Sequence, residues 1–313
     1  MPYYFWTCLR KKMDYQPYLY SKRALLIINP VAGRKAVNTQ IAPIIRIFME
    51  AGYLVTTMIT AHRGEASIFA RQYAKGYDLL VCAGGDGTLN EVINGLADAE
   101  IRIPLGYIPC GTTNDFAASH GISADILKAA RQAAYGKETV YDIGCFENQY
   151  FSYVALFGAF SWMAYTTDQD LKNRIGYTAY LLDAAKDLNR NQPHHLRVTA
   201  NGVTYEDDYI FGAVSNAKKL AGIIELPEGL VDTNDGRLEV FLVKAPKSLL
   251  DWDTILRGVV ARDFSSPFFE LTQAEEIWID NEPGLTWSLD GECSGEMDRI
   301  HIVPKLNFMH LKT

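Results

Sequence analysis

Val81-Cys82-Ala83-Gly84-Gly85-Asp86-Gly87-Thr88-Leu89-Asn90-Glu91 is the stretch from which the rest of the chain is read. An apolar run, Leu79 to Ala83, leads into it with the length and composition of a buried strand. Gly84, Gly85 and Gly87 then make a sharp turn that carries one carboxylate, Asp86. Beyond the turn, Leu89, Val92, Ile93 and Leu96 fall at i, i+3, i+4 and i+7, the apolar stripe of a helix. The order is strand, glycine turn, helix start. Such a turn gathers bare backbone N–H groups at the positive end of a helix, where phosphate is stabilised. A carboxylate beside phosphate is unfavourable unless a cation bridges the two. The turn therefore reads as a site for nucleotide phosphates with Mg²⁺ nearby. It has neither the G-x-x-x-x-G-K-[ST] spacing of a P-loop nor the G-x-G-x-x-G of a dinucleotide fold. The plainer alternative is a strand-to-helix turn whose glycines serve the backbone alone.

Outward from this stretch the pattern alternates. Ala24 to Ile28 is an apolar strand, followed by the turn Asn29-Pro30-Val31-Ala32-Gly33. Ile41 to Met49 has helical spacing and Gly52 ends it. Leu54 to Ile59 is a strand rich in β-branched residues, and Glu65 to Tyr73 is a helix. After the central turn comes a strand, Pro104 to Ile108, and then Pro109-Cys110-Gly111-Thr112-Thr113-Asn114-Asp115-Phe116-Ala117. Ser123 is the expected cap of a helix running to about Tyr135. Strands separated by helices of this length predict a parallel, doubly wound α/β sheet. Ligands of such sheets bind beyond the carboxyl ends of the strands. The turns at 29–33, 60–64, 84–88 and 111–115 all lie at those ends.

The pattern changes near Tyr141-Asp142-Ile143-Gly144. Strands are expected at Tyr150–Phe157, Leu196–Ala200, Tyr209–Ser215, Leu238–Val243, Ile277–Asp280, Leu285–Leu289 and Ile300–Val303. One long helix is expected near Leu171–Leu188 and another between Leu249 and Arg262. Many strands with few helices predict a β-sandwich second domain.

At 313 residues the chain is long enough for two domains. A hydrophobic content of 48% with 21% charged residues suits globular cores. The net charge of −7 argues against nucleic acid as a partner. Lys218-Lys219 and Arg10-Lys11-Lys12 could touch anionic headgroups, although a charge pair is usually solvated surface. Cys8, Cys82, Cys110, Cys145 and Cys293 are scattered singly, without metal-ligand spacing, and read as reduced thiols of a cytoplasmic protein. His194-His195 reads as flanking a loop. No apolar run reaches the ~18 residues of a membrane-spanning helix. Met1 to Tyr20 does not have the form of a signal peptide, and Met13 is an alternative start, with the residues before it dispensable.

Asn29-Pro30-x-x-Gly33, Gly84-Gly85-Asp86-Gly87-Thr88-x-Asn90-Glu91 and Gly111-Thr112-x-Asn114-Asp115-Phe116-Ala117 resemble the three nucleotide-side motifs of the diacylglycerol kinase catalytic family. Asp290-Gly291-Glu292 resembles its catalytic turn. Arrangement and order match from about Ala24 to Phe308, in the style of the bacterial soluble lipid kinases. These share ancestry with sphingosine kinases and, more remotely, with NAD kinases and phosphofructokinases. The resemblance implies an α/β nucleotide domain over 22–142, joined by a returning tail at 305–313, and a β-sandwich lipid domain over 143–304. It implies an ATP- and Mg²⁺-dependent kinase that phosphorylates a hydroxyl of a membrane lipid, with diacylglycerol the leading acceptor and phosphatidylglycerol, a prenol or a sphingoid base as alternatives. Glu292, Asp86 and Asp115 are implied as catalytic. ATP contacts fall on Asn29, Pro30, Val31, Ala32, Gly33, Thr60, Gly84, Gly85, Asp86, Gly87, Thr88, Leu89, Asn90 and Thr112. Asp142 matches a carboxylate of a charged network around the site. A structural Mg²⁺ is implied on Asp235, with the backbone carbonyls of Asp232 and Arg237. The enzyme would be cytoplasmic and would meet the inner face of the membrane transiently. A homodimer stays open, because dimers are common in the family and no feature of the sequence decides it. The chain departs from some members at Ala117, Ala118 and Ser119, where an arginine would pair with the carboxylates.

Phosphoryl transfer needs positioning, charge neutralisation and a base for the attacking alcohol. Glu292 on a tight turn can be that base; locally, Asp-Gly is also a common hairpin turn. Two other readings stand beside the lipid kinase: a kinase of a soluble substrate such as NAD, and a non-enzymatic nucleotide sensor. Asp86, Asp115 and Glu292 count against the sensor, which has no need of a base.

Overall fold

The computed structural model describes residues 21–33, 36–112, 114–158, 193–220 and 224–313. The expected helix at Leu171–Leu188, the alternative start at Met13 and the basic run Arg10-Lys11-Lys12 lie outside these residues.

The first half runs β1 (Lys22–Ile28), α1 (Ile41–Glu50), β2 (Tyr53–Ile59), α2 (Glu65–Tyr73), β3 (Leu79–Gly84), α3 (Asp86–Asp98), β4 (Pro104–Pro109), α4 (Asp115–Ser119) and α5 (Ile126–Tyr135). The strands pair in parallel in the order β2-β1-β3-β4. All six residues of β3 are buried, as are Ala24 to Ile28 of β1. A parallel strand with both faces covered needs such an unbroken apolar run. The order reverses between β1 and β3, so right-handed crossovers send helices to opposite faces. Accordingly α1 packs against α5, and α2 against α3. The reversal opens a crevice beyond the ends of β1 and β3. Asn29 and Gly84–Thr88 lie there.

One expectation fails here. The cap of α5 is Asp125, whose Oδ1 accepts from Lys128 N at 2.9 Å. Ser123 Oγ instead accepts from Asp125 N at 3.2 Å. Both residue types cap helices, and Asp125 is the one placed three residues before a first-turn N–H.

The second half contains β5 (Glu138–Phe146), β6 (Gln149–Phe151), β7 (Val154–Gly158), β8 (His194–Ala200), β9 (Val203–Ser215), β10 (Lys219–Leu220), β11 (Ile224–Glu225), β12 (Leu238–Lys244), α6 (Leu249–Ala261), β13 (Phe269–Ala274), β14 (Ile277–Asp280), β15 (Thr286–Leu289), β16 (Glu292–Glu296) and β17 (Arg299–Lys312). The strand expected over Tyr150–Phe157 is two strands, interrupted at Ser152 and Tyr153. The strand expected at Ile300–Val303 and the returning tail are one strand, β17. It pairs antiparallel with β14 and β5 and parallel with β4. Ile300 and Ile302 lie in a core with Trp287 and Phe157. Phe308, Met309 and Leu311 lie in the α/β core with Leu25 and Val81. One strand thus enters two cores, and each such buried side chain contributes roughly 1.5–3 kcal/mol. A third core gathers Phe211, Phe241 and Trp252 of α6.

Candidate active site

Helix α3 starts at Asp86 on an extended Gly85, and no side chain caps its first turn. Its first turn presents backbone N–H groups toward the crevice, and its dipole favours an anion there. The other turns close around this point. Asn29 Nδ2 donates to Thr88 Oγ1 at 2.9 Å, and Cys110 N donates to Gly84 O at 2.7 Å. Gly33, at φ +51°, lies so close to the fourth turn that a Cβ would come within 2.3 Å of Cys110 O. A Cβ on Gly111 would lie 2.8 Å from Gly85 Cα. No residue but glycine fits either place. Asn114 folds the turn it ends: its Oδ1 accepts from Gly111 N at 2.9 Å and its Nδ2 donates to Gly111 O at 3.0 Å.

A cleft of about 490 Å³ opens between these turns and the second half of the chain. Gly85, Asp86, Gly87, Leu89 and Thr112 line it on one side. Asn29, Pro30, Val31, Ala32, Gly33, Thr60, Gly84, Thr88 and Asn90 are not in its lining and stand behind or beside it. Thr60 is buried, with its hydroxyl turned to Ile28 O at 3.4 Å. Val31 is exposed. The Asp115 side chain is outside the described part of the structure. Asp142 is also absent from the lining. Its carboxylate accepts from Asn307 N at 2.6 Å and Gly236 N at 2.8 Å, which ties the bulge of β17 to the 232–237 turn.

Across the cleft, Asp290 and Gly291 take φ of 49° and 94° in a two-residue hairpin between β15 and β16. Two positive φ values in succession give the turn that matches strand twist, and Asp-Gly tolerates it best. Asp290 is half-buried and accepts from five donors. Ser152 N, Tyr153 N and Val154 N donate at 2.7, 3.0 and 2.9 Å, Ser152 Oγ at 3.0 Å and Asn90 Nδ2 at 3.0 Å. These bonds are what interrupts the strand at Ser152 and Tyr153. Burial pushes the Asp290 carboxyl up from its ordinary value and the donors pull it back. Every one of them suits an ionised acceptor, so Asp290 shapes the turn.

Glu292 is held differently. Its side chain is 42% exposed, and Arg63 donates to its Oε2. A Cβ on Gly87 would lie 3.0 Å from Glu292 Oε1, so this carboxylate faces the N-terminal turn of α3.

The neighbouring residues of α3 each hold something else. Asn90 reaches Asp290 and also Tyr150 O at 3.2 Å. Glu91 accepts from Gly64 N at 2.8 Å and Ala66 N at 3.2 Å, which fixes the loop that carries Arg63. Tyr107, buried in β4, donates from its hydroxyl to Asp86 Oδ1 at 3.1 Å. Arg63 and Tyr107 were not singled out in the sequence. Arg63 gives no local signal, whereas Tyr107 puts a hydroxyl into a strand whose neighbours are all apolar. Burial pushes the Cys82 thiol well up and the Cys110 thiol up to about 11, so both stay protonated core groups.

Among the described residues no three His, Cys, Asp or Glu side chains are grouped as metal ligands. Mg²⁺ commonly takes one or two carboxylates plus substrate phosphates, a set that Asp86 with a nucleotide would complete. At the 232–237 turn, Asp235 Oδ1 accepts from Arg237 N at 3.0 Å and Asp232 Oδ1 from Asn234 N at 3.2 Å. Glu239 beside it is 1% exposed and has no partner for Oε2. Burial first, then Asp235 and Asp232, push its carboxyl up to about 7. The orphaned Oε2 is an acceptor that a cation would satisfy, although the three carboxylates do not by themselves form a ligand group.

Residues 23–146 match the diacylglycerol kinase catalytic domain, and residues 159–308 match the YegS C-terminal NAD kinase beta sandwich-like domain. The chain is similar to a diacylglycerol kinase of Bacillus subtilis (strain 168), 32% identical over 277 residues, with 88% of this chain and 91% of that protein covered. It is 30% identical over 279 residues to a diacylglycerol kinase of Staphylococcus aureus (strain JH9), with 88% of each covered. A solved diacylglycerol kinase structure from Bacillus anthracis str. Sterne superposes with a TM-score of 0.73 at 26% identity, over 93% of this chain and 96% of that one. With a glycine-lined crevice facing an Asp-Gly-Glu hairpin and relatives aligned over most of its length, the chain belongs to the diacylglycerol kinase family of lipid kinases.

Proposed function

We propose that this chain transfers the γ-phosphoryl group of ATP to the free hydroxyl of diacylglycerol, giving phosphatidic acid and ADP. The observation that carries this reading is the opposition of Glu292 to the α3 N-terminus, with Glu292 Oε1 3.0 Å from the place of a Gly87 Cβ. A base and an uncapped helix end that face each other are the two halves of a phosphoryl-transfer site. The names of the curated relatives support diacylglycerol as the acceptor.

The turn N–H groups of Gly85, Asp86 and Gly87 hold the nucleotide phosphates. Asp86 would hold Mg²⁺ with those phosphates, and the bound cation would offset their charge. Glu292 takes the proton of the lipid hydroxyl as the oxygen attacks phosphorus. The bond from the γ-phosphorus to the β-phosphate oxygen breaks, and ADP leaves with that electron pair. Glu292 then releases the proton to solvent. Tyr153, Val154 and Leu156 supply an apolar wall for the lipid body.

In this reading residues 22–142 with 305–313 form the nucleotide lobe and 143–304 the lipid lobe. The dual membership of β17 in two cores supports that division. Asp235, with the carbonyls of Asp232 and Arg237, would hold a structural Mg²⁺. No helix among the described residues is long and apolar enough to cross a membrane. Leu249 and Leu250 at the start of α6 are 59% and 78% exposed, which supports transient docking on a lipid surface at the cytoplasmic face.

The test is labelled ATP against a panel of lipids in mixed micelles, with NAD in detergent-free buffer as a further arm. Labelled phosphatidic acid from diacylglycerol is the expected product. Label on another lipid would change the acceptor, and label on NAD alone would overturn the lipid reading.

A further inference from the structure

Strand β4 is buried on both sides, and its sequence, Pro104-Leu105-Gly106-Tyr107-Ile108-Pro109, is apolar except at one atom. That atom is the Tyr107 hydroxyl. Tyr107 is 1% exposed and stands beside Cys82 in the parallel register, one strand in from the crevice. Its ring is fixed edge-on against Phe116 of α4, with centroids 5.8 Å apart. A hydroxyl buried in such a layer is costly without a partner. Here it points up through the end of the strand to Asp86 Oδ1 at 3.1 Å, and lies 3.5 Å from Asn114 Oδ1. Asn114 in turn closes the Gly111 turn. One phenol therefore touches the carboxylate of the first glycine turn and the side chain that shapes the second.

We infer that Tyr107 is a positioning residue for Asp86: its hydroxyl fixes the plane of the Asp86 carboxylate and presents it to the nucleotide-bound cation. The inference rests on the reading of Asp86 as a nucleotide-site residue. The phenol is suited to this role. Burial and the neighbouring Asp86 push its pKa far up, so it remains a donor at every working pH. The ring is held by packing, so the donor arrives already oriented. Loss of such an outer partner of a metal-binding carboxylate typically costs ten- to a hundred-fold in affinity or activity.

The test uses the full chain and the variants Tyr107→Phe, Asp86→Asn and the double variant. Binding of MgATP is measured by calorimetry, and kcat and KM with dioleoylglycerol in mixed micelles. Tyr107→Phe removes one oxygen and keeps the ring, so its melting temperature without nucleotide should stay near wild type. Its affinity for MgATP should fall roughly ten-fold or more. The double variant should bind no worse than Asp86→Asn, because the hydroxyl acts only through that carboxylate. Wild-type MgATP binding by Tyr107→Phe, with Asp86→Asn impaired, overturns the inference and leaves the reading of Asp86 intact. Additive losses in the double variant also overturn it, and remain readable if Tyr107→Phe proves less stable. Wild-type binding and turnover by Asp86→Asn overturns the reading of Asp86 and the inference with it.

Discussion

Arg63 and Glu292, 229 residues apart in sequence, meet across the cleft as an ion pair. Arg63 belongs to the loop between β2 and α2, and Glu292 opens β16. The loop is not free to wander. Glu91 of α3 accepts from Gly64 N at the end of the loop and from Ala66 N in the first turn of α2, and Glu65 Oε2 accepts from Ala61 N at 2.6 Å and His62 N at 3.2 Å. The guanidinium is therefore delivered to Glu292, whose carboxylate faces the helix end where phosphates would lie. Both partners are well exposed, so the pair adds little to stability. In the proposed reaction a bound triphosphate would compete with Glu292 for this guanidinium and free the carboxylate to act as base.

The first expected outcome concerns that exchange. Arg63→Ala should leave the melting temperature unchanged and raise KM for MgATP roughly ten-fold, since a charge-assisted bond to phosphate is lost. Arg63→Lys should recover part of the loss, as it keeps the charge but not the planar fork. Initial rates over an MgATP series decide it; an unchanged KM in Arg63→Ala would remove Arg63 from the site.

Glu292→Gln should lower kcat by roughly 10²–10⁴-fold, the usual contribution of a positioned general base. Calorimetric affinity for MgATP should stay close to wild type, because the turn N–H groups are untouched. Near-normal kcat in this variant would move the base elsewhere.

Asp290 should behave as structure. Asp290→Ala leaves three buried N–H groups, those of Ser152, Tyr153 and Val154, without their acceptor. Each orphaned donor costs about 1–3 kcal/mol, so denaturant unfolding should show a loss of at least about 3 kcal/mol. A stable Asp290→Ala with kcat abolished would instead make Asp290 a participant in the chemistry.

Glu239 sets a pH dependence. An ordinary glutamate ionises near 4.5, whereas this one holds its proton to about 7 in the fold. Between those values the folded chain binds the extra proton, so stability declines as pH rises from 4.5 and levels off above 7. The shift corresponds to about 3 kcal/mol lost by neutral pH in the absence of a cation. Glu239→Gln should flatten this part of the stability–pH curve. In wild type, Mg²⁺ at pH 8 should raise the melting temperature, because a cation bound only by the fold stabilises it by mass action. Equal melting in Mg²⁺ and chelator, for wild type at pH 8, would rule out a cation beside Glu239.

The local rules of the chain are legible in its residues. Val81 to Glu91 declares a strand, a glycine turn and a helix, because apolar runs, glycine φ freedom and the 3.6-residue period are properties of neighbours. The same holds for α2, which spans Glu65–Tyr73 as its spacing predicts, and for the Asp290-Gly291 hairpin. Where two local signals compete, as Ser123 and Asp125 do for the start of α5, adjacency no longer decides. The uses of the polar residues are another matter. Asn90 meets Asp290 at a separation of 200 residues, Arg63 meets Glu292 at 229, and Asp142 meets Asn307 at 165. Asp142, expected near the cleft, is instead consumed by the bulge of β17. Tyr107 finds Asp86 only because β3 and β4 lie side by side in one register. The sequence by itself determined which backbone segments form the glycine turns at the strand ends. Only the tertiary structure decided which carboxylate is locked by donors and which is left facing the helix end, since burial and hydrogen-bond supply belong to the packed chain and not to any stretch of it.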